Sequence, residues 1–462
     1  MRKSLGAWVF VLGTACAHVP EKPTEPAAGP PASAEALLEQ AEAAYEARSY
    51  TACARLYLQW EARCEDDDCR AESLYESASC AALAGQPDEA LARVKQAVQR
   101  GYANANHLRL DPELASLHAL PGWPEVLAGV QANLEKAEYP PLPVPVLAGV
   151  DTYGSRHVDA KAVRELLGFE LGKPLVHSRA LFQDKEAELR KRHGLAWAKV
   201  SMSYWLDSPT EARAYLTMDL VDAGDTARLR MLPEPRGTPE DPEGLVARWR
   251  EYETKGFALM QQGVLIQEEG GGCRVAHCRY GFGHPELAPL EPVFLGRVPV
   301  LRDAVVKVLR EDANANRRSD AAFLLAYAGS PEQVVASLVP SIRDPDSGVR
   351  NNVLRVLGTF QKVADRPLVD VAVVADALSM PSWSDRNKSL YLLQFLLEDL
   401  KPEGLKAQRA SLIQRLGASL VELATSAHPQ IHEASVAILE RLSGETHAAP
   451  EQWKAWLSRQ AP

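Results

Sequence analysis

Asp344-Pro345-Asp346-Ser347-Gly348-Val349-Arg350-Asn351-Asn352-Val353-Leu354-Arg355-Val356-Leu357 is the stretch that decides the architecture. Its spacing returns along the chain. Val349-Arg350-x-x-Val353-x-x-x-Leu357 aligns with Arg317-Arg318-x-x-Ala321-x-x-x-Leu325, 32 residues earlier. Asp385-Arg386-x-x-Ser389-x-x-x-Leu393 follows at 36 residues, and Ile431-His432-x-x-Ser435-x-x-x-Leu439 at 46. An apolar helix precedes each, for example over residues 300–309 and 334–342. Ser330-Pro331-Glu332-Gln333 combines a cap, a proline in the first turn and a capping box, so a helix starts there. One helix pair cannot bury its apolar face alone, whereas stacked pairs can, so the pattern predicts an α-solenoid over residues 298–462. Trp453 and Trp456 lie in a last helix that would cap the open apolar end.

Asp344-Pro345-Asp346 ahead of Val349-Arg350 resembles the turn and arginine of HEAT repeats. In that family, aspartates and arginines of neighbouring repeats form a ladder. The resemblance implies a ladder of Arg318, Asp344, Arg350 and Arg386, broken by His432 in the last repeat.

Residues 223–297 read as a connector. A helix is expected over residues 243–262, with Trp249, Tyr252 and Phe257 as core contacts. Gly270-Gly271-Gly272-Cys273 to Cys278 is a short loop, with His277 and His284 close in sequence.

Residues 146–222 have a different texture. A strand is expected near 146–154, then helices near 159–168 and 178–193, the second stopped by Gly194. Two alternating runs follow. Ala198, Val200, Met202 and Tyr204 oppose Lys199, Ser201 and Ser203, and Ala214, Leu216, Met218 and Leu220 oppose Tyr215, Thr217 and Asp219. Period two with one polar face predicts a half-buried antiparallel pair. The β-α-α-β-β order and Gly154-Ser155-Arg156-His157-Val158 resemble a POTRA module. That resemblance implies partner binding at a sheet edge, where backbone donors and acceptors are open. A spacer that binds nothing is the alternative.

Residues 33–136 are expected to be helical, entered by Ser33 as a cap. Tyr50-Thr51-Ala52-Cys53 and Pro87-Asp88-Glu89-Ala90 hold equivalent places 37 residues apart, each opening the second helix of a pair. These two-helix units resemble tetratricopeptide repeats, with Ala90 as the small packing residue and Cys53 in its place in the first unit. The segment from Gly101 to Trp123 resembles the closing segment of such arrays. Residues 35–80 hold 11 acidic and 4 basic side chains. A solvated outer face is the simpler reading, and a site for a basic partner the other. Residues 138–145, Glu-Tyr-Pro-Pro-Leu-Pro-Val-Pro, form a stiff linker.

Cysteine placement in this region is informative. In an antiparallel helix hairpin, facing residues share a constant index sum, and it is 133 for both Cys64 with Cys69 and Cys53 with Cys80. Each helix spaces its two cysteines by 11 residues, about three turns and roughly 16 Å, so both lie on one face. The expected bridges are Cys53 to Cys80 and Cys64 to Cys69, which leaves Cys273 to Cys278. A separation of roughly 16 Å is far too wide for four thiolates to converge on one zinc ion at about 2.3 Å.

Arg2 and Lys3, a short apolar run from Leu5 to Leu12 and then Gly13-Thr14-Ala15-Cys16 read as a secretory signal over residues 1–15. The cysteine after small residues resembles the lipobox of bacterial lipoproteins, with Gly13 where leucine is usual. That implies lipidation of Cys16. Residues 16–32 follow as a proline-rich tether that would hold the body off a bilayer. Export also implies an oxidising compartment, where paired cysteines become disulfides.

The 462 residues carry 51 basic and 61 acidic side chains, a formal charge of −10 without a basic block, which argues against nucleic-acid binding. No apolar run approaches the roughly 18–20 residues that span a bilayer. Phosphate-loop, dinucleotide-binding, nucleophile-elbow and His-Glu-x-x-His signatures do not occur. Asp312-x-Asn314-x-Asn316 starts like a calcium loop, but Arg317 replaces the required glycine. No catalytic residue, metal ligand or cofactor is assigned. The expected fold is mainly α, built of α-solenoid pieces with one small α+β module. The expected role is a non-catalytic scaffold of the cell envelope, outer-membrane anchored with its body in the periplasm or on the cell surface. It would meet other envelope proteins through repeat surfaces and a sheet edge, and the membrane through its lipid alone. Two alternatives stand beside it: an envelope enzyme with a metal site in the loop 273–284, and a spacer without a specific partner.

Overall fold

The computed structural model describes residues 9–11, 33–137, 141–158, 160–208, 210–262, 264–265 and 272–460. Cys16, the tether and most of the expected signal segment lie outside them. Only Val9–Val11 (β1) of that segment is described, as a strand.

The N-terminal helices are Ala34–Glu46 (α1), Tyr50–Glu61 (α2), Asp67–Leu83 (α3), Pro87–Gln99 (α4), Ala105–Leu110 (α5) and Trp123–Leu134 (α6). Ser33 caps α1 by accepting from the Ala36 amide. Small residues bring α2 and α3 together. Ser73 and Ser77 of α3 donate to the carbonyls of Tyr57 and Ala54, at 2.5 and 2.6 Å. Cys53 and Ala90 occupy matching, fully buried positions in α2 and α4. Leu37, Tyr45, Tyr75, Val94, Leu114 and Val130 belong to one core that closes over these helices.

The α+β unit is Val146–Tyr153 (β2), Ala160–Leu167 (α7), Arg179–His193 (α8), Leu195–Ser208 (β3) and Glu211–Asp222 (β4). Ser178 caps α8, and Gly194, at φ +64°, ends it in the left-handed conformation that glycine tolerates. The sheet order is β1-β3-β4-β2. β3 and β4 are antiparallel, with Val200 opposite Met218, and β2 runs parallel to β4. The alternating residues Ala198, Val200, Met202, Ala214, Leu216, Met218 and Leu220 pack with Leu147, Val163, Phe182 and Leu189 of the strand and helices.

One expectation fails here. The polar face of β4 is not solvated: Tyr215, Thr217 and Asp219 are buried together with Leu216 and Met218. Alternation marks two faces, but the second face of β4 lies against the C-terminal solenoid, so the strand is covered on both sides.

The remaining helices are Leu245–Gln261 (α9), Leu290–Arg297 (α10), Arg302–Glu311 (α11), Ala315–Leu324 (α12), Pro331–Leu338 (α13), Ser347–Lys362 (α14), Val371–Leu378 (α15), Trp383–Asp399 (α16), Pro402–Leu423 (α17), Pro429–Ser443 (α18) and Pro450–Ser458 (α19). Ser330 and Gln333 form the reciprocal capping box of α13. Pro340 has no amide proton to continue the helix, and the chain turns through a short 3₁₀ segment, Val339–Ser341. The periodic positions Ala321, Leu325, Val353, Leu357, Ser389, Leu393, Ser435 and Leu439 are all fully buried. Trp453 and Trp456 of α19 close the end of the same core.

That core begins earlier than the repeats. Leu245, Trp249, Tyr252, Phe282 and Phe294 are continuous with it. Helix α9 and the described residues 272–297 are therefore continuous with the solenoid core, α9 packing beside α12, where a connector was expected. Phe257, expected in the core, is 38% exposed. Val300 is 70% exposed and α11 starts two residues after it.

Candidate functional site

The repeats are joined by arginines that each make two kinds of bond. Arg318 reaches Asp344 through Nε and Nη2, at 3.0 and 2.9 Å, and its Nη1 donates to the carbonyls of Asp312 and Ala313. Arg350 repeats the arrangement one repeat later. It meets Asp385 through Nε and Nη2, both at 2.9 Å, and donates to the carbonyls of Asp344 and Pro345. Paired forks of this kind are strong and directional, and they satisfy buried carboxylates that would otherwise be costly. Asp385 is the partner that the sequence reading missed. It sits one residue before Arg386, as part of the aligned motif, and that position was the available signal.

Arg386 departs from the pattern. It donates to its own turn at the Pro381 carbonyl, but its ion-pair partner is Asp219 of β4, not an aspartate of the next repeat. His432, which stands in the arginine's place in the following repeat, contacts the Ala424 carbonyl through Nδ1 at 2.8 Å. The ladder therefore ends by holding the α+β unit. Around Asp219, the Arg386 guanidinium lies 4.1 Å from the Tyr153 ring centroid. Burial pushes the Asp219 carboxyl up to about 6, opposed by Arg386. Other bonds widen the junction. Asp151 accepts from the Ala427 amide at 2.9 Å and from the Ser426 hydroxyl, and Arg228 bridges Ser379, Gly154 and Leu220 carbonyls. A Cβ at Gly149 would lie 2.5 Å from that of Ala427, so glycine is required where β2 meets the solenoid.

The N-terminal helices also touch both other units. Glu39 of α1 accepts from Asn314 and Asn316 at the start of α12. This explains the half calcium loop: Asn314 caps α12 and Asp312 pairs with Arg317. At the other side, the Tyr45 hydroxyl accepts from the Ala180 amide and donates to Glu113, and Arg48 pairs with Asp184 of α8.

Part of the acidic surplus of residues 35–80 faces this second junction, not open solvent. Glu42 of α1 and Glu76 of α3 both feel the charge of Arg179 at the start of α8. Arg179 also lies 4.2 Å from the Tyr45 ring centroid. Burial, then the neighbouring Glu72 charge, pushes the Glu76 carboxyl up to about 8. Burial and Glu113 raise Asp111 to about 6, while the Tyr75 hydroxyl donates to it. Tyr75 stacks on Tyr102 at 4.7 Å. The cluster is a tyrosine-walled acidic surface that already accepts one arginine of its own chain. A basic side chain is the chemistry it suits.

Three cysteine pairs are disulfides in the structure: Cys53 with Cys80, Cys64 with Cys69 and Cys273 with Cys278. Their Cα separations of 5.9, 5.5 and 6.1 Å lie in the normal range for a bridge. The first joins α2 to α3 inside the N-terminal core. The third shapes the loop that carries His277. With both thiols of that loop bonded to each other, His277 and His284 gain no sulfur ligand. Among the described residues, no group of three histidine, cysteine, aspartate or glutamate side chains is gathered for a metal. His277 is buried and neutral, its pKa pushed down to about 3 by burial and Arg355.

The outer edge of β3 is partly covered. Val9–Val11 pairs antiparallel with it, Val9 opposite Trp205 and Val11 opposite Ser203. Among the described residues no helix is long and apolar enough to cross a membrane.

A family model described as HEAT repeats matches residues 302–402, from the start of α11 to the start of α17. These residues are HEAT-like repeats. No curated protein matches the chain. Among solved structures, a crystal structure of an engineered protein is 14% identical, covering 92% of this chain and 88% of its own, with a TM-score of 0.28. HEAT-like repeats suggest a scaffold for protein interaction, because stacked helix pairs present an extended, continuous surface.

Proposed function

We propose that this chain is a lipid-anchored scaffold of the cell envelope that holds other proteins and performs no chemistry of its own. The observation that carries the reading is the ladder of Arg318, Asp344, Arg350, Asp385 and Arg386, because it stiffens a HEAT-like surface and then ties the α+β unit to it. A rigid array with several presented faces suits adaptor work better than turnover. Cys16 is the proposed lipid attachment point, and the tether after it gives the body reach from the outer membrane. The three disulfides fit an oxidising compartment. The proposed contacts are the repeat surfaces, the acidic tyrosine cluster for a basic segment, and the β3 edge. Removal of a signal segment that includes β1 would leave that edge open for an added strand. Assembly, secretion or motility machinery is the proposed setting.

Crosslinking in intact envelopes, followed by recovery of the chain, should return a small set of defined proteins. Recovery of none would favour a spacer. Cys16→Ser should move the protein from the membrane to the soluble fraction. Continued partition with membranes would overturn the anchor.

A further inference from the structure

A cavity of about 600 Å³ lies between the disulfide loop and helices α14, α16 and α18. That is within the usual size range of small-molecule sites, about 300–1,000 Å³. Its walls carry Arg279 and His277 from the loop, Arg355 from α14, Asn387 and Lys388 from α16, and Glu433 from α18. A glycine sets the spacing of two walls. A Cβ at Gly358 would lie 2.8 Å from the Tyr391 ring, so only glycine lets α14 and α16 approach this closely.

The charges in this cavity do not balance. Arg279 is paired with Glu253 at 2.6 Å. Arg355 and Lys388 have no hydrogen-bond or ion-pair partner among the side chains of the described residues, and the Arg355 Nε is buried without one. Arg355 raises the cost of a charge on Lys388, and Arg279 that of a charge on Arg355, which Glu253 partly offsets. Burial and Arg279 push the Arg355 guanidinium down to about 10, and burial and Arg355 push the Lys388 amine well down. His277 and Asn387 line the same walls at 7% and 8% exposure, with His277 Nε2 and Asn387 Nδ2 unpartnered by protein. Elsewhere the solenoid meets its buried arginines with aspartates, as at Arg318 and Arg350. Holding two half-buried cations on one cavity wall without that answer is unfavourable unless something anionic supplies it.

We propose that this cavity binds a small polyanion, a molecule carrying carboxylate or phosphate groups, with Arg355 and Lys388 as its charge-bearing contacts. Arg355 offers a planar fork suited to an oxyanion, and Lys388 a point charge beside it. Arg279 adds positive field while remaining paired with Glu253. The disulfide of Cys273 and Cys278 fixes the loop wall. A scaffold with this site would bind a small molecule as well as proteins.

The test uses the full-length oxidised protein, with citrate and pyrophosphate as probes in calorimetry and thermal unfolding. Sodium chloride at matched ionic strength is the control. At least one probe should bind saturably and raise the melting temperature beyond the salt control. Tighter binding of citrate would point to a carboxylate ligand, and of pyrophosphate to a phosphate. Lys388→Met and Arg355→Gln should each weaken binding by about 10- to 100-fold, the range for losing a charged hydrogen bond. Lys388→Met should also raise the melting temperature without a probe, because an unpaired cation is gone. Lys362→Gln, on the exposed side of α14, should bind as the native protein does. No response beyond salt for either probe, or an unchanged response in both cavity variants, would overturn the proposal.

Discussion

Arg350 shows how a single side chain joins two repeats. Its fork on Asp385 spans the repeats, and its third nitrogen closes the turn that begins at Asp344. Asp385 is fully buried, so the pair is matched only while both members are present. Arg350→Ala should cost about 3–5 kcal/mol in urea unfolding, because it leaves a buried carboxylate alone. Arg350→Met combined with Asp385→Leu should recover most of that loss, since no buried charge remains. Glu76 gives a prediction of opposite character. Its folded pKa, about 8, lies above the ordinary value of 4.5. Its contribution to stability is then fully present below about pH 4.5 and is lost as pH rises through about 8. Glu76→Gln should match the native protein at pH 4 and melt higher at pH 9. Melting curves across that range read the crossover, and parallel curves would remove the group from the account.

At the scale of elements, the α2–α3 hairpin depends on more than its core. The bridge between Cys53 and Cys80 closes a loop of 27 residues in sequence. By chain entropy a loop of that length is worth about 3–4 kcal/mol, against roughly 2 kcal/mol for the short Cys64 to Cys69 loop. A Cys53→Ala, Cys80→Ala variant should therefore lower the melting temperature more than a Cys64→Ala, Cys69→Ala variant. Equal losses would mean that packing, and not chain restriction, dominates there. The ends of these elements were legible because each has a local chemical cause. Ser33, Ser178 and the Ser330 to Gln333 box start helices, and Gly194 stops one. Phe257 was misplaced because helix phase alone does not say which neighbour covers a face.

For the whole molecule, the decisive residue is Asp219. It lies on the strand face that alternation assigns to solvent, yet it is fully buried against Arg386. Asp219→Ala should leave Arg386 as an unpaired buried cation and cost about 3–5 kcal/mol. The loss should be read at the junction: limited proteolysis between β4 and α9 should become faster in the variant. Unchanged cleavage there would mean that the Asp151 and Arg228 bonds hold the junction without the pair.

The sequence by itself determined the solenoid, the β-α-α-β-β order and the face each cysteine occupies. All three follow from periodicity, and periodicity is a property of the local chain. The resemblance to HEAT repeats added Arg318, Asp344 and Arg350, as the places where that family's ladder would fall in this chain. Tertiary structure alone decided which surfaces remain open. The Asp219 to Arg386 pair, the docking of Arg179 on the acidic cluster and the cation-lined cavity all join residues distant in sequence. Those pairings depend on how the units pack, and no spacing along the chain records that.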